Sequence, residues 1–125
     1  MKVCIAGSRD IKNYALVCAA VEASKFDITE VVSGHATGVD QLGERWALNN
    51  DIPVKMFKAN WNQYGKSAGV RRNAKMAAYL KTHSGALISI YDGISTGTLD
   101  MLDRAQAYGI TTFLVVPAII LSERA

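Results

Sequence analysis

Five short apolar runs punctuate the chain, and four of them give way to a glycine-bearing polar loop that feeds a stretch with helical spacing. No other feature constrains the fold as strongly. "KVCIA" reads as a first strand closed by Gly7, and the alanine-rich residues 13–24 read as a helix. "TEVVS" is a second strand, followed by apolar positions at Val39, Leu42 and Trp46 that repeat at helical spacing up to about Asn50. "VKMFKA" after Pro53 is a third strand, "NWNQYGKSAG" a loop, and 68–81 a helix. "GALISIY" has the near-continuous apolar run of a strand covered on both faces. "DGISTG" is a further glycine loop, 98–108 a helix that Gly109 ends at C′, and "TTFLVV" a fifth strand that Pro117 stops. Strands alternating with helices predict a parallel α/β sheet.

Composition narrows the class of protein. Half of the 125 residues are hydrophobic and a fifth are charged, enough to bury the core of one domain without disulfides or a metal staple. Cys4 and Cys18 fall in apolar segments and read as reduced core residues, which suits a cytoplasmic protein. The N-terminus turns polar too soon for a secretory segment, and no apolar run approaches the ~20 residues that cross a bilayer. The longest, "TTFLVVPAIIL", is interrupted by Pro117. A soluble protein with no membrane partner is expected.

The net charge of +3 is unevenly spread. Lys55, Lys58, Lys66, Arg71, Arg72, Lys75 and Lys81 lie in a stretch, 52–91, that contains no Asp or Glu. Such a block suits an anionic partner, nucleotide phosphates or a nucleic-acid backbone; the alternative is a solvated helix face balanced by acids elsewhere.

In open parallel sheets, ligands bind beyond the carboxyl ends of the strands. The loops that fall there carry Gly7, Ser8 and Arg9; Ser33, Gly34, His35, Thr37, Gly38 and Asp40; Trp61, Arg71, Arg72 and Asn73; and Asp92, Gly93, Ser95, Gly97 and Thr98. Glycines let backbone amides approach an anion, hydroxyls add neutral donors, and arginines offer forks matched to phosphate. Neither G-x-G-x-x-G nor G-x-x-x-x-G-K-[ST] is present, so the signal is four such loops on one edge rather than a single fingerprint.

Individual residues carry alternatives. His35 reads first as a hydrogen-bonding loop group and second as an acid/base. Two histidines and no paired cysteines do not suggest a metal site. Asp40 either braces loop amides, caps its helix or meets a ligand hydroxyl. Trp61 and Tyr64 stack on a base or cover an apolar edge. Asp92 meets a ribose or orients its loop, and Thr98 binds phosphate or caps a turn. Met56, Met76 and Met101 read as core filler.

Taken together, "GSR", "VVSGHATGVDQLGERWA", "KANWNQYGKSAGVRRNAKMA" and "DGISTGT" resemble the SLOG superfamily, in particular its small YspA-like branch, found in bacterial and phage genomes. The second loop is also similar to the "SGxARGID" signature of DNA-processing protein A. "RRNAKMA…DGISTGTLD" is similar to the "RK…M…PGGxGTxxE" signature of the LOG phosphoribohydrolases, which cleave the N-glycosidic bond of nucleoside 5′-monophosphates. The resemblance implies one Rossmann-like three-layer domain over 1–125, a mostly parallel five-stranded sheet with helices on both faces. It also implies a nucleotide-derived ligand, a dimer or higher homo-oligomer, and no cofactor. Gly93, Gly97 and Thr98 match the phosphate loop, and Arg72 matches the arginine, with Asn73 in place of the lysine. The hydrolase's glutamate falls at Met101, which can neither stabilise an oxocarbenium ion nor activate water. Asp40, Asp92, Asp100 and Arg72 are therefore the catalytic candidates. Three functions follow: a binding protein acting as sensor, sequestering protein or diverged enzyme; a nucleotide N-glycosidase; and a single-stranded nucleic-acid binder.

Overall fold

The computed structural model describes residues 1–117. Five parallel strands, β1 (Lys2–Gly7), β2 (Glu30–Ser33), β3 (Val54–Met56), β4 (Ala86–Ile90) and β5 (Thr111–Val115), form one sheet in the order β3-β2-β1-β4-β5. The long helices are α1 (Tyr14–Ser24), α2 (Val39–Asn49), α4 (Ala68–Thr82) and α5 (Thr96–Ala107); a short α3 (Trp61–Tyr64) precedes α4. The parallel α/β sheet is the one expected from the alternation of strands and helices, and its arrangement is the Rossmann-like one that the family resemblance implies.

Period-two alternation in β1 assigns the two layers. Val3 and Ile5 point into a core with Val17, Val21, Val39 and Ala47 of α1 and α2. Cys4 and Ala6 point the other way, into a core with Met76, Ala77, Leu80, Met101 and Ala105 of α4 and α5. Each fully buried Ile, Leu or Val contributes about 1.5–3 kcal/mol relative to exposure. Every residue of β4 is buried, as its unbroken apolar run requires of an interior strand.

Helix boundaries follow local chemistry. Asn13 caps α1 by accepting from the Leu16 amide at 3.3 Å. Ser95 caps α5, which therefore starts at Thr96 rather than Thr98. Gly109, at φ 68°, takes the left-handed position that ends α5.

Three expectations need correction. "NWNQYGKSAG" is not a plain loop, because Asn60 Oδ1 accepts from Gln63 N at 3.1 Å and starts α3, which a 3-10 turn at Gly65–Ser67 links to α4. Met56 is 45% exposed, since β3 is a three-residue edge strand with little covering it, whereas Met76 and Met101 are core. Cys4 is buried, but Cys18 is only part-buried, and both are free. Among the described residues no helix is long and apolar enough to cross a membrane. The apolar segment after Pro117 lies outside the described residues.

Candidate functional site

The chain runs from β1 to one side of the sheet and reaches β4 on the other, so the loops after these adjacent strands part and leave a crevice. A cleft of about 550 Å³ opens there. Its walls include Gly7, Arg9 and Asp10 from the first loop, Ala36 and Asp40 from the second, and Trp61 and Lys66 from the α3 region. Arg72, Asn73 and Met76 of α4 face Asp92, Ser95, Gly97, Thr98 and Met101 across it.

Arg72 is the best-anchored cation. Its Nη1 donates to the Gly34 carbonyl at 2.6 Å and its Nε to Asn73 Oδ1 at 2.9 Å, leaving Nη2 as its remaining donor edge. Asn73 in turn donates to the Gly97 carbonyl at 3.2 Å and to Asp100 Oδ2 at 3.0 Å, so α4 and α5 share one polar seam. Asp100 also accepts from Arg104 Nε at 2.9 Å and is committed to that seam rather than to the cleft wall. Gly34 lets these side chains come close, because an added Cβ would lie 2.7 Å from Arg72 Nη1 and 2.9 Å from Asp40 Oδ2 and would displace them.

Asp40 lies in the first turn of α2, where the helix dipole favours a carboxylate. Its Oδ2 accepts from the Ala36 amide at 3.2 Å, and the Gly7 amide also donates to it. Of the readings open to it, the loop brace is realised. Burial dominates its ionisation: loss of water pushes the carboxyl from 3.8 up to about 6, against the two amides and Arg72, with Glu44 adding to the rise. Because the folded pKa lies above the unfolded one, the native state binds the extra proton, and Asp40's contribution is most favourable below the unfolded pKa. Stability falls as pH rises from about 4 through about 6, by about 3 kcal/mol in all. Asp40→Asn is accordingly expected to gain about 1–3 kcal/mol at pH 8 and to flatten this slope, as urea denaturation across pH would measure. A variant less stable than wild type at pH 8 would mean that the amide bonds outweigh the burial.

The remaining candidates divide. Ser8, almost wholly buried, accepts from the Asp92 amide at 3.0 Å and ties the first loop to the fourth. Asp92 Oδ1 accepts from Ile94 and Ser95 amides at 2.9 and 2.8 Å, so it orients its own loop while lining the cleft. The Thr98 amide and hydroxyl both donate to Ser95 Oγ, in the capping arrangement. Arg9 lies 5.8 Å from the ring of Trp61, itself half exposed at the cleft. Ser33, Gly34, His35, Thr37, Gly38 and Gly93 support the loops without lining the cleft. Arg71 is not brought to the cleft: it stacks over Tyr64 at 4.3 Å and faces a separate cavity.

Sequence reasoning missed Glu44, which takes Ser33 Oγ at 2.6 Å and His35 Nδ1 at 2.9 Å. That contact holds His35 in its left-handed turn, φ 58°, away from the cleft. The signal was available, since Glu44 follows Asp40 by four residues and shares its helix face. Asp10, beside the first glycine loop, and Lys66, in the 3-10 turn before α4, also line the cleft, although neither stood among the candidate ligand contacts.

A family model described as YspA, cpYpsA-related SLOG family matches residues 1–64, from β1 through α3. The chain belongs to the YspA, cpYpsA-related SLOG family. It is also 30% identical over 118 residues to Gene 61 protein of Mycobacterium phage D29, covering 87% of this chain and 91% of that protein. The SLOG match includes the Arg9, Asp40 and Trp61 walls of the cleft, while Arg72 and the α5 loop lie beyond it.

Proposed function

We propose that this SLOG protein binds a nucleotide or nucleotide-derived phosphate ligand in the cleft between the β1 and β4 loops, as a sensor, sequestering protein or diverged enzyme. One observation carries the reading: an arginine fixed by two hydrogen bonds faces the open N-terminal turn of α5 across about 550 Å³. Nothing lies within 4 Å of a Cβ added at Gly97, so an anion can approach that turn closely. Trp61 offers a half-exposed ring to a base at the same cleft. Residues 1–125 would act as one ligand-binding domain in a reducing, cytoplasmic setting. Exposed Leu114 and Val116 at and beyond edge strand β5 support a homo-oligomer.

Thermal-shift titration with nucleoside mono- and diphosphates and ADP-ribose tests the binding reading. A ligand at ~100 times its Kd stabilises by about 2.7 kcal/mol, a shift of several degrees. Silence across the panel at millimolar ligand would sink it.

One observation favours a second reading, nucleotide N-glycosidase activity. Met101 is buried where the related hydrolases carry glutamate, but Asp40 lines the same cleft and burial keeps part of its carboxyl protonated near neutral pH. A proton held there suits a departing base. Release of free base from a nucleotide panel, lost in Asp40→Asn while binding persists, would identify that enzyme. Binding without base release would leave the sensor or sequestering role.

A further inference from the structure

Behind α4 lies a second cavity, of about 210 Å³, at the carboxyl end of β3. Its lining includes Phe57, Lys58, Tyr64, Arg71, Arg72 and Lys75, all from the acid-free stretch, and no carboxylate joins them. Among the described residues, Lys58, Arg71 and Lys75 form no salt bridge. Arg71 is already oriented: its guanidinium lies over the Tyr64 ring at 4.3 Å and its Nε donates to Ser67 Oγ at 3.0 Å. Both terminal nitrogens remain as a fork, the geometry that matches phosphate. Four cations around one small cavity repel one another until an anion enters.

Two elements join this cavity to the cleft. Arg72 lines both, and the short α3 presents Trp61 to the cleft and Tyr64 to the second cavity. We propose that the second cavity is a phosphate subsite, coupled through Arg72 to the cleft, so that the preferred ligand carries two separated phosphates, as in a 5′-phosphorylated dinucleotide. Phosphate capture by the cavity stands on its own residues; the two-phosphate ligand rests on the nucleotide reading of the cleft.

NMR titration of the full chain separates the two. The amides of residues 58–60 report the second cavity and those of 94–97 the cleft. Inorganic pyrophosphate is expected to shift 58–60 saturably, and Arg71→Ala/Lys75→Ala, two exposed helical changes to a good helix former, is expected to abolish that response. No response, or one that survives in the double variant, would overturn the subsite. Shifts at 58–60 with silence at 94–97 would sink the cleft reading and support the subsite. A 5′-phosphorylated dinucleotide is expected to bind at least tenfold tighter than the nucleoside 5′-monophosphate at low salt. The double variant should remove that gain and leave monophosphate binding within twofold; equal affinities in wild type would overturn the coupling. A single-stranded oligonucleotide arm tells the phosphate's source: a strand spanning several phosphates steepens the salt dependence by about 0.7 per phosphate, and a small ligand does not.

Discussion

Gly38→Ala is expected to lower the unfolding free energy by about 2–5 kcal/mol and the Tm by roughly 10 °C. Gly38 sits at φ 79° and ψ −130°, a conformation that side-chain-bearing residues rarely adopt. An added Cβ would also press into the Arg9 carbonyl, which is backbone and cannot swing aside. Val39, the next residue, donates its amide to the Ser8 carbonyl at 3.4 Å, so the strain reaches the join between the first and second loops. Gly97→Ala is the matching control. Its added Cβ meets nothing within 4 Å, and it lies in the first turn of α5, where alanine is favoured over glycine by up to about 1 kcal/mol. Thermal melts of the two variants should therefore move in opposite directions. A Gly38→Ala protein melting with the wild type would show that this loop relaxes freely.

Arg72→Ala is expected to weaken phosphate-ligand binding by 100-fold or more, about 2.7 kcal/mol, with the fold retained. The arginine does three things at once. It presents a charged donor to the cleft, holds the Gly34 carbonyl, and lowers the cost of the Asp40 carboxylate. Hydrogen bonds to charged groups contribute about 1.5–3 kcal/mol each, which makes the expected loss that of one good phosphate contact. Arg72→Lys should recover less than tenfold of it, because a single ammonium cannot bond Gly34 and Asn73 together and still reach a ligand. Isothermal titration with a nucleoside phosphate, beside circular dichroism to verify folding, would measure both. A lysine variant that binds like wild type would show that a point charge suffices.

The order of strands and helices was legible because the apolar runs are short and all but the third are closed within two residues by glycine or proline. Local chemistry within ten residues decided those boundaries. The exception, α3, depends on a single Asn60 cap inside a polar stretch whose composition resembles any loop. The cleft was legible as a set of glycine loops on one edge, since parallel topology brings those loops together. Sequence could not divide neighbours on a helix, however. Arg71, Arg72 and Asn73 are consecutive, yet one faces the second cavity, one lines both cavities and one ties α4 to α5. Only the rotation of α4 against the sheet decides that. Asp40 posed a similar limit: its place at a helix start left brace, cap and ligand contact open, while its burial, which sets the sign of its effect on stability, and its neighbours Gly7 and Arg72 depend on segments distant in the chain.

The pairing of β1 with β4 also has a consequence for biogenesis. Val3 opposes Ala86, so one side of the central strand has no partner until most of the chain has left the ribosome. At ~5–20 residues per second, that wait is on the order of ten seconds. Throughout it, the matched segment 1–64 has β2 and β3 but a raw hydrophobic edge on β1. A nascent chain stalled before β4 would be a target for chaperones or for edge-to-edge aggregation, and release of β4 would be the event that commits it to the native state.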